Sequence, residues 1–389
     1  MVIDSKILKT VCTHDLCSGC MACLEVCHKD AIRIDDSLRA YNAVINDKCV
    51  ECGACHKVCQ QNNPPVAGAP VAWHQGWAKD EYVRNTGSSG GYASAIAKAF
   101  SAHGGIVCSC AFADGIFGFN IATTSEELKR FAGSKYVKSN PAGIYTKVKK
   151  LLRDGEKVLF IALPCQVAAI KNFVGEKLQE NLYTIDLICH GTPSPKILHK
   201  FLDQYHVSLN DIDKIQFRSK LSFLGNANDC NSFATNGTVD KYMLSFLYCL
   251  TFTNNCYVCQ YAKAERVSDL SLGDSWGSSL AKGEVDKGIS LVLIQSEKGN
   301  ELLSIADVVI NSVDLSEAVS HNAQLIHPSE RPAKWSRFFY CINIGKSFNS
   351  CVSSCLKEAC FRQVIKGVCI ILGIKKVTGL NYCIGYIRK

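Results

Sequence analysis

Eight cysteines between residues 17 and 59 stand in two copies of one spacing, and few folds can satisfy it. CSGCMACLEVC places Cys17, Cys20, Cys23 and Cys27 at C-x2-C-x2-C-x3-C, and CVECGACHKVC repeats the pattern with Cys49, Cys52, Cys55 and Cys59. Three cysteines two residues apart wrap a tight loop around one corner of a cubane, while the fourth reaches across to a partner cluster. The spacing therefore assigns Cys17, Cys20, Cys23 and Cys59 to one 4Fe-4S cluster, and Cys49, Cys52, Cys55 and Cys27 to a second. Zinc also accepts C-x2-C pairs, but this repeat suits two tetrahedral sites poorly. His28 and Gln60 occupy the positions where a proline usually follows the fourth cysteine, which can alter a cluster's surroundings without removing a ligand. Cys12 lies outside the pattern and reads as a packing or exposed thiol.

The remaining chain sets limits on class. With 389 residues, two or three domains are expected, and 23 cysteines in a chain of this length point to metal ligation rather than a disulfide framework. The start, MVIDSKILKT, lacks the apolar stretch of a signal peptide, and no apolar run reaches membrane-spanning length. A cytoplasmic location is expected. Residues 331–389 carry eleven Lys and Arg against one acid, Glu358, so this +10 exceeds the chain's net +8 and leaves the first 330 residues at −2. Such a distribution gives no uniformly basic surface, and no nucleic-acid-binding motif is present.

The two-cluster unit, a bacterial ferredoxin run, spans residues 1–63 and is followed by the linker-like QNNPPVAGAP. From residue 71 apolar runs alternate with helix-period segments, which predicts β-α-β units, a largely parallel sheet and a mixed α/β domain. Its two parts are residues 71–155 and 156–330. LSFLGNANDCNSFATNG reads as a flexible loop, and residues 331–389 as a basic helical tail. KVLFIAL followed by Pro164 puts Cys165 at the carboxyl end of a strand, and LYTIDLIC does the same for Cys189. Ligands bind at that edge in open α/β sheets. CYVC adds Cys256 and Cys259, so these four could hold a third 4Fe-4S cluster, with a structural zinc as the rival. Cys108, Cys110, Cys230 and Cys249 read as packing thiols.

RNTGSSGGYASAIAKAF, SKYVKSN, VLFIALPCQVAAIK, LYTIDLICHGTPSP and CYVCQYAKAERVSDLSLGDSWG together resemble the coenzyme F-420 (deazaflavin) hydrogenase and dehydrogenase beta subunit family. The resemblance covers about residues 1 to 300 and leaves out the tail. It implies an FAD- and iron-sulfur-containing oxidoreductase in which electrons pass between ferredoxin-type clusters, a cluster beside the flavin and a substrate at the flavin ring. Physically, GSSGG before a helix offers free amides at a glycine-opened approach, so Ser88, Ser89, Gly90 and Gly91 are candidates for a flavin pyrophosphate site. Lys135 and Lys138 could neutralise phosphate or steer an acidic partner, a solvated face being the default. Asp274 and Trp276 are expected near the flavin, with Asp269 a turn cap, and His190 is a candidate proton donor or partner to the cluster.

In the tail, Val352, Cys355, Leu356, Ala359, Val364 and Val368 recur near helical spacing, with Lys357, Arg362 and Lys366 off the stripe. This reads as an amphipathic basic helix that docks on the core or rests at the inner face of a membrane. Cys351, Cys355 and Cys360 read as packing. The expected function is an enzyme moving electrons between reduced ferredoxin, or another redox protein, and a small organic or deazaflavin-like molecule, with cell-surface polysaccharide metabolism one setting for such proteins. The alternative is a non-catalytic electron-transfer subunit or scaffold feeding a partner enzyme.

Overall fold

The structure, a computed structural model, describes residues 9–228, 231–235 and 237–374. Cys230, read as packing, lies outside them. The N-terminal unit is built on an antiparallel hairpin, β1 (Ile32–Asp36) and β2 (Tyr41–Ile45), with the two cysteine loops leading into short helices Ala22–Val26 and Ala54–Val58.

The following strands are β3 (Ala72–Ala78), β4 (Ile106–Ala113), β5 (Ile116–Ala122), β6 (Val158–Ala162), β7 (Leu182–Leu187), β8 (Ile215–Ser219), β9 (Ser222–Ala227), β10 (Asn231–Ser232), β11 (Leu270–Asp274), β12 (Ser290–Ile294) and β13 (Val308–Asn311). Eight of them form one sheet in the order β13-β3-β12-β11-β7-β6-β4-β5. Its centre, β4, β6, β7 and β11, is parallel, while β5 on one flank and β12, β3 and β13 on the other run antiparallel to their neighbours. The mixed α/β class holds, and the parallel character is confined to the centre.

β6 is buried at every residue, as a central parallel strand covered on both faces requires. Helix Pro164–Val174 starts two residues later; proline opens it at no cost because its missing amide would be unpaired there anyway. β7 carries polar residues inside. Asp186 is paired with Arg266 at 2.8 Å with both side chains essentially inaccessible, and Thr184 Oγ1 donates to Asp269 Oδ2 at 2.6 Å. Asp269 thus ties β7 to the start of β11 rather than merely capping a turn.

The segment read as a flexible loop contains a small antiparallel sheet, β8, β9 and β10. Its strands are short and separated by a two-residue turn at Lys220, whose φ is +52°. Phe217 faces inward and joins a core shared with helices Trp335–Asn343 and Phe348–Cys355. Much of the tail is therefore part of the domain core, and Cys351, Cys355 and Cys360 are buried there as read. The expected amphipathic stripe is not continuous. The chain breaks at Leu356, where ψ is 50°, and the next helix, Lys357–Ile371, buries Ala359 and Cys360 but leaves Val364 and Val368 exposed.

Candidate iron-sulfur centres and the carboxyl edge of the sheet

The sequence repeat is also a repeat of backbone conformation. Gly19 and Met21 in the first loop have φ of 69° and 63°, and Glu51 and Gly53 in the second have 55° and 73°. Left-handed residues two and four positions after the first cysteine curl each loop inward. The strain of a non-glycine in this region is small but real. Amides then point at sulfur: Gly19 N donates to Cys17 Sγ, Ala31 N to Cys27 Sγ and Glu51 N to Cys49 Sγ, each at 3.4 Å.

Cys27, Cys49, Cys52 and Cys55 line one cavity, together with Lys9, His28, Lys29 and His56. This outer set, with Cys52 exposed, is the crossed grouping expected from the spacing. Cys17, Cys20, Cys23 and Cys59 form a buried inner set: the charges of the other three act on Cys23, and that of Cys55 from the outer set acts on it too. Burial pushes Cys20 up to about 12. Cys12 is buried, not exposed, and its interaction with Cys17 and Cys59 favours the proton on Cys12, lowers Cys17 and brings Cys59 to about 6.

The third set assembles at the carboxyl edge of the sheet. Cys165, Cys189, Cys256 and Cys259 line one cavity with Lys138, His190, Gln260, Tyr261 and Arg266. Cys165 lies in the first turn of helix Pro164–Val174, and Cys189 just beyond β7. The loop bearing Cys256 and Cys259 is held against Cys189 by Thr253 N donating to Thr192 O at 3.1 Å. Gly191, at φ 129°, makes this close approach feasible, since a Cβ there would sit 2.4 Å from the Phe252 ring. Burial raises Cys165, Cys189 (to about 12) and Cys259. Burial favours the neutral thiols, and a metal bound among them, such as the iron of a cluster, would favour the thiolates instead. Among the described residues, no three His, Cys, Asp or Glu side chains gather tightly enough to share a single ion.

Two buried cations flank this cavity, and sequence reasoning missed their role. Lys138 is 5% exposed, contrary to the solvated face taken as default; its Nζ donates to Ser18 O at 3.0 Å, and its charge acts on Cys17, Cys165, Cys189 and Cys259. Arg266, paired with Asp186, acts on Cys259. Gln60 is a third missed residue. Its Nε2 donates to Ser18 Oγ at 2.8 Å, its carbonyl accepts from Gln260 Nε2 at 2.9 Å and its Oε1 accepts from Tyr261 OH. The residue standing in for the usual proline therefore joins the inner set's loops to the loop bearing Cys259.

Beyond Cys189, His190 lines the cavity at an exposed position, where the charges of Asp274 and Arg218 act on it in opposite directions. Arg218 grips Asp274 in a bidentate pair, 2.7 Å on each arm, and stacks over Trp276 at 5.4 Å. Ser88 Oγ accepts from Ser134 N at 2.6 Å, and Ser89 Oγ donates to Ile289 O at 2.7 Å, so both hydroxyls hold the loop itself. Gly90 packs so closely that a Cβ would lie 2.4 Å from Gly76 O, and Gly91 opens helix Tyr92–Ala102 in the left-handed region. The first amides of that helix have no partner within it. Lys135 is not directed at them: its Nζ donates to Phe131 O and Ala132 O, at 2.7 and 3.0 Å, and burial lowers it to about 8. The cation at the loop is Lys220, which sequence reasoning passed over. It reaches the carbonyls of Arg84, Gly87 and Ser89, and burial lowers it to about 8.

With this geometry in hand, the chain can be placed among known proteins. Residues 73–143 match the family described as "Coenzyme F420 hydrogenase/dehydrogenase, beta subunit N-term", and residues 155–317 match the counterpart family for the carboxyl-terminal part of the same beta subunit. Residues 16–63 match a 4Fe-4S dicluster domain. The chain belongs to the coenzyme F420 hydrogenase/dehydrogenase beta subunit family, with an N-terminal 4Fe-4S dicluster domain. A solved structure similar to it is a chain from a xenon-derivatised F420-reducing [NiFe] hydrogenase complex of Methanosarcina barkeri; the identity is 20%, the TM-score 0.48, and the match covers 67% of this chain and 90% of that one. No curated protein matches.

Proposed function

We propose that the chain is an oxidoreductase subunit that carries three 4Fe-4S clusters in a row and FAD, and passes electrons between a redox protein and a small organic or deazaflavin-like substrate. The observation that carries this reading is contiguity. Cys55 of the outer set acts on Cys23 of the inner set, and Cys20 of the inner set acts on Cys165 of the third. The outer cavity, with Cys52 exposed, Lys29 at its rim and Lys9 paired with Glu51, offers an open side for a redox protein such as reduced ferredoxin. So many free thiols suit the reducing cytoplasm.

Each residue set has a task in this reading. The twelve cysteines hold iron as thiolates, while Lys138 and Arg266 offset negative charge in a buried space where water cannot. Amides at the start of helix Tyr92–Ala102, with Lys220 beside them, would receive the pyrophosphate of FAD. When bound, FAD supplies the exchange between single electrons and hydride. Arg218 fixes Asp274 in a bidentate grip, and His190 can accept or give one hydrogen bond between the third set and that edge. Nothing at the site favours a polysaccharide-related acceptor, so the proposal stops at the chemical class.

A second reading, a relay subunit feeding a partner enzyme, has one observation on its side: Ser88, Ser89 and Lys135 all spend their polar groups inside the protein. Iron, acid-labile sulfide and flavin per chain after anaerobic purification separate the two. About twelve irons with one FAD support the enzyme, with Cys165→Ser reducing the count to about eight. About eight irons and no flavin in the unaltered chain would leave the relay.

A further inference from the structure

We propose that helix Lys357–Ile371 is an interfacial anchor that lays the chain on an anionic membrane surface. The helix before it, Phe348–Cys355, is fully engaged, with Phe348, Cys351, Val352 and Cys355 buried. After the break at Leu356 only a narrow strip of the next helix touches the protein. Ala359 and Cys360 are buried, Gln363 Oε1 accepts from Val239 N at 2.8 Å, and Gly367 faces Thr238.

At about 100° per residue, Phe361, Val364, Val368, Ile371 and Leu372 fall together on a different face. They are 65%, 60%, 49%, 74% and 66% exposed. A single exposed valine needs no explanation, but a contiguous face of this kind marks a contact surface. Arg362 and Lys366 lie on the flank between the docked strip and this face, nearer the strip, and Arg362 is ion-paired with Glu358 at 3.8 Å.

Charge selects the occupant. Lys375, Lys376, Arg388 and Lys389 follow the helix, and the whole segment 331–389 has eleven basic residues against Glu358 alone. A second copy would bring the same positive charge against itself. An acidic protein surface would answer the charge but not the apolar face. Anionic lipid answers both, since its headgroups pair with Arg and Lys while Phe361 and its neighbours enter the acyl boundary. Among the described residues no helix is long and apolar enough to cross a membrane, so the helix would lie in the interface.

The test sediments the full-length, cluster-loaded protein with vesicles of phosphatidylcholine alone or with about a third phosphatidylglycerol. Binding is expected to the anionic vesicles and not the neutral ones. R362Q with K366Q should weaken it about fivefold per charge, and V364E with V368E should weaken it at least about tenfold. These positions are exposed or at the helix edge, so iron content and melting temperature should not move. The proposal is overturned by absence of binding to anionic vesicles, by equal binding of V364E/V368E, or by a dimer in vesicle-free buffer that this double substitution disperses.

Discussion

Gln60 shows how a single departure from a familiar pattern takes on a structural job. Proline after Cys59 would leave Ser18 without the Gln60 amide donor and Tyr261 OH with only the backbone carbonyl at 3.2 Å as acceptor. Gln60→Leu should therefore cost about 2–3 kcal/mol, the penalty for stranding buried polar partners, read as an anaerobic loss of melting temperature. An unchanged melt would mean that water replaces the amide. Lys138 is the second residue whose role is electrostatic. Removing its charge beside the inner and third sets disfavours the more negative, reduced state, so Lys138→Met should lower the reduction potential of at least one of those clusters. At an effective dielectric constant near 20 the drop is on the order of 100 mV. Redox titration followed by electron paramagnetic resonance measures it, and Lys138→Arg should restore most of the shift. The buried pair Asp186–Arg266 behaves differently, because cutting it leaves one uncompensated charge inside: Asp186→Leu should destabilise by about 3–5 kcal/mol.

At the scale of elements, the third set depends on two local devices, the helix that begins at Pro164 and the turn at Gly191. Gly191→Ala forces a Cβ into the Phe252 ring and strains a left-handed backbone. The loop must shift at Cys189 and Thr192, so the variant should lose about four irons while the signals of the dicluster domain persist. Loss of all iron, or of none, would contradict this division. These devices also explain what could be read from the residues. The dicluster loops were legible because all their determinants lie within eleven residues of each other. Cys165 and Cys189 were legible because an apolar run ended by proline or glycine announces a strand end. Lys138, Arg266, Gln60 and Lys220 were not, since each acts on residues far away in sequence. Lys138 to Ser18, for instance, spans 120 positions. The tail stripe was misread for a different reason: a break at Leu356 rotates the next helix, so a periodicity continuous in sequence is discontinuous in space.

For the whole molecule, the placement of the dicluster unit sets an order of vulnerability. Glu25 fixes the unit to the α/β domain by capping helix Ile144–Arg153 from outside, accepting from Gly143 N and Thr146 N at 2.8 Å each. Asp36 Oδ2 adds a contact by accepting from Ser194 Oγ at 2.6 Å. This docking turns the inner set toward the cavity of Cys165 and covers it, while the outer set keeps an open side at Cys52. Access by a chelator or oxygen follows exposure, because ligand exchange requires an approach to iron or sulfur. Anaerobic iron release to an excess of chelator should therefore be biphasic, with about four irons leaving first and the remainder slowly. Glu25→Gln keeps the hydrogen-bonding shape but removes the charge that favours a helix N-terminus, and should weaken the docking by about 0.5–1 kcal/mol. If docking protects the inner set, the slow phase should accelerate in this variant while the fast phase stays as it was. If both phases keep their rates, the covering of the inner set arises from the core around Cys20 and Tyr145 instead, and the capping carboxylate only orients the two units.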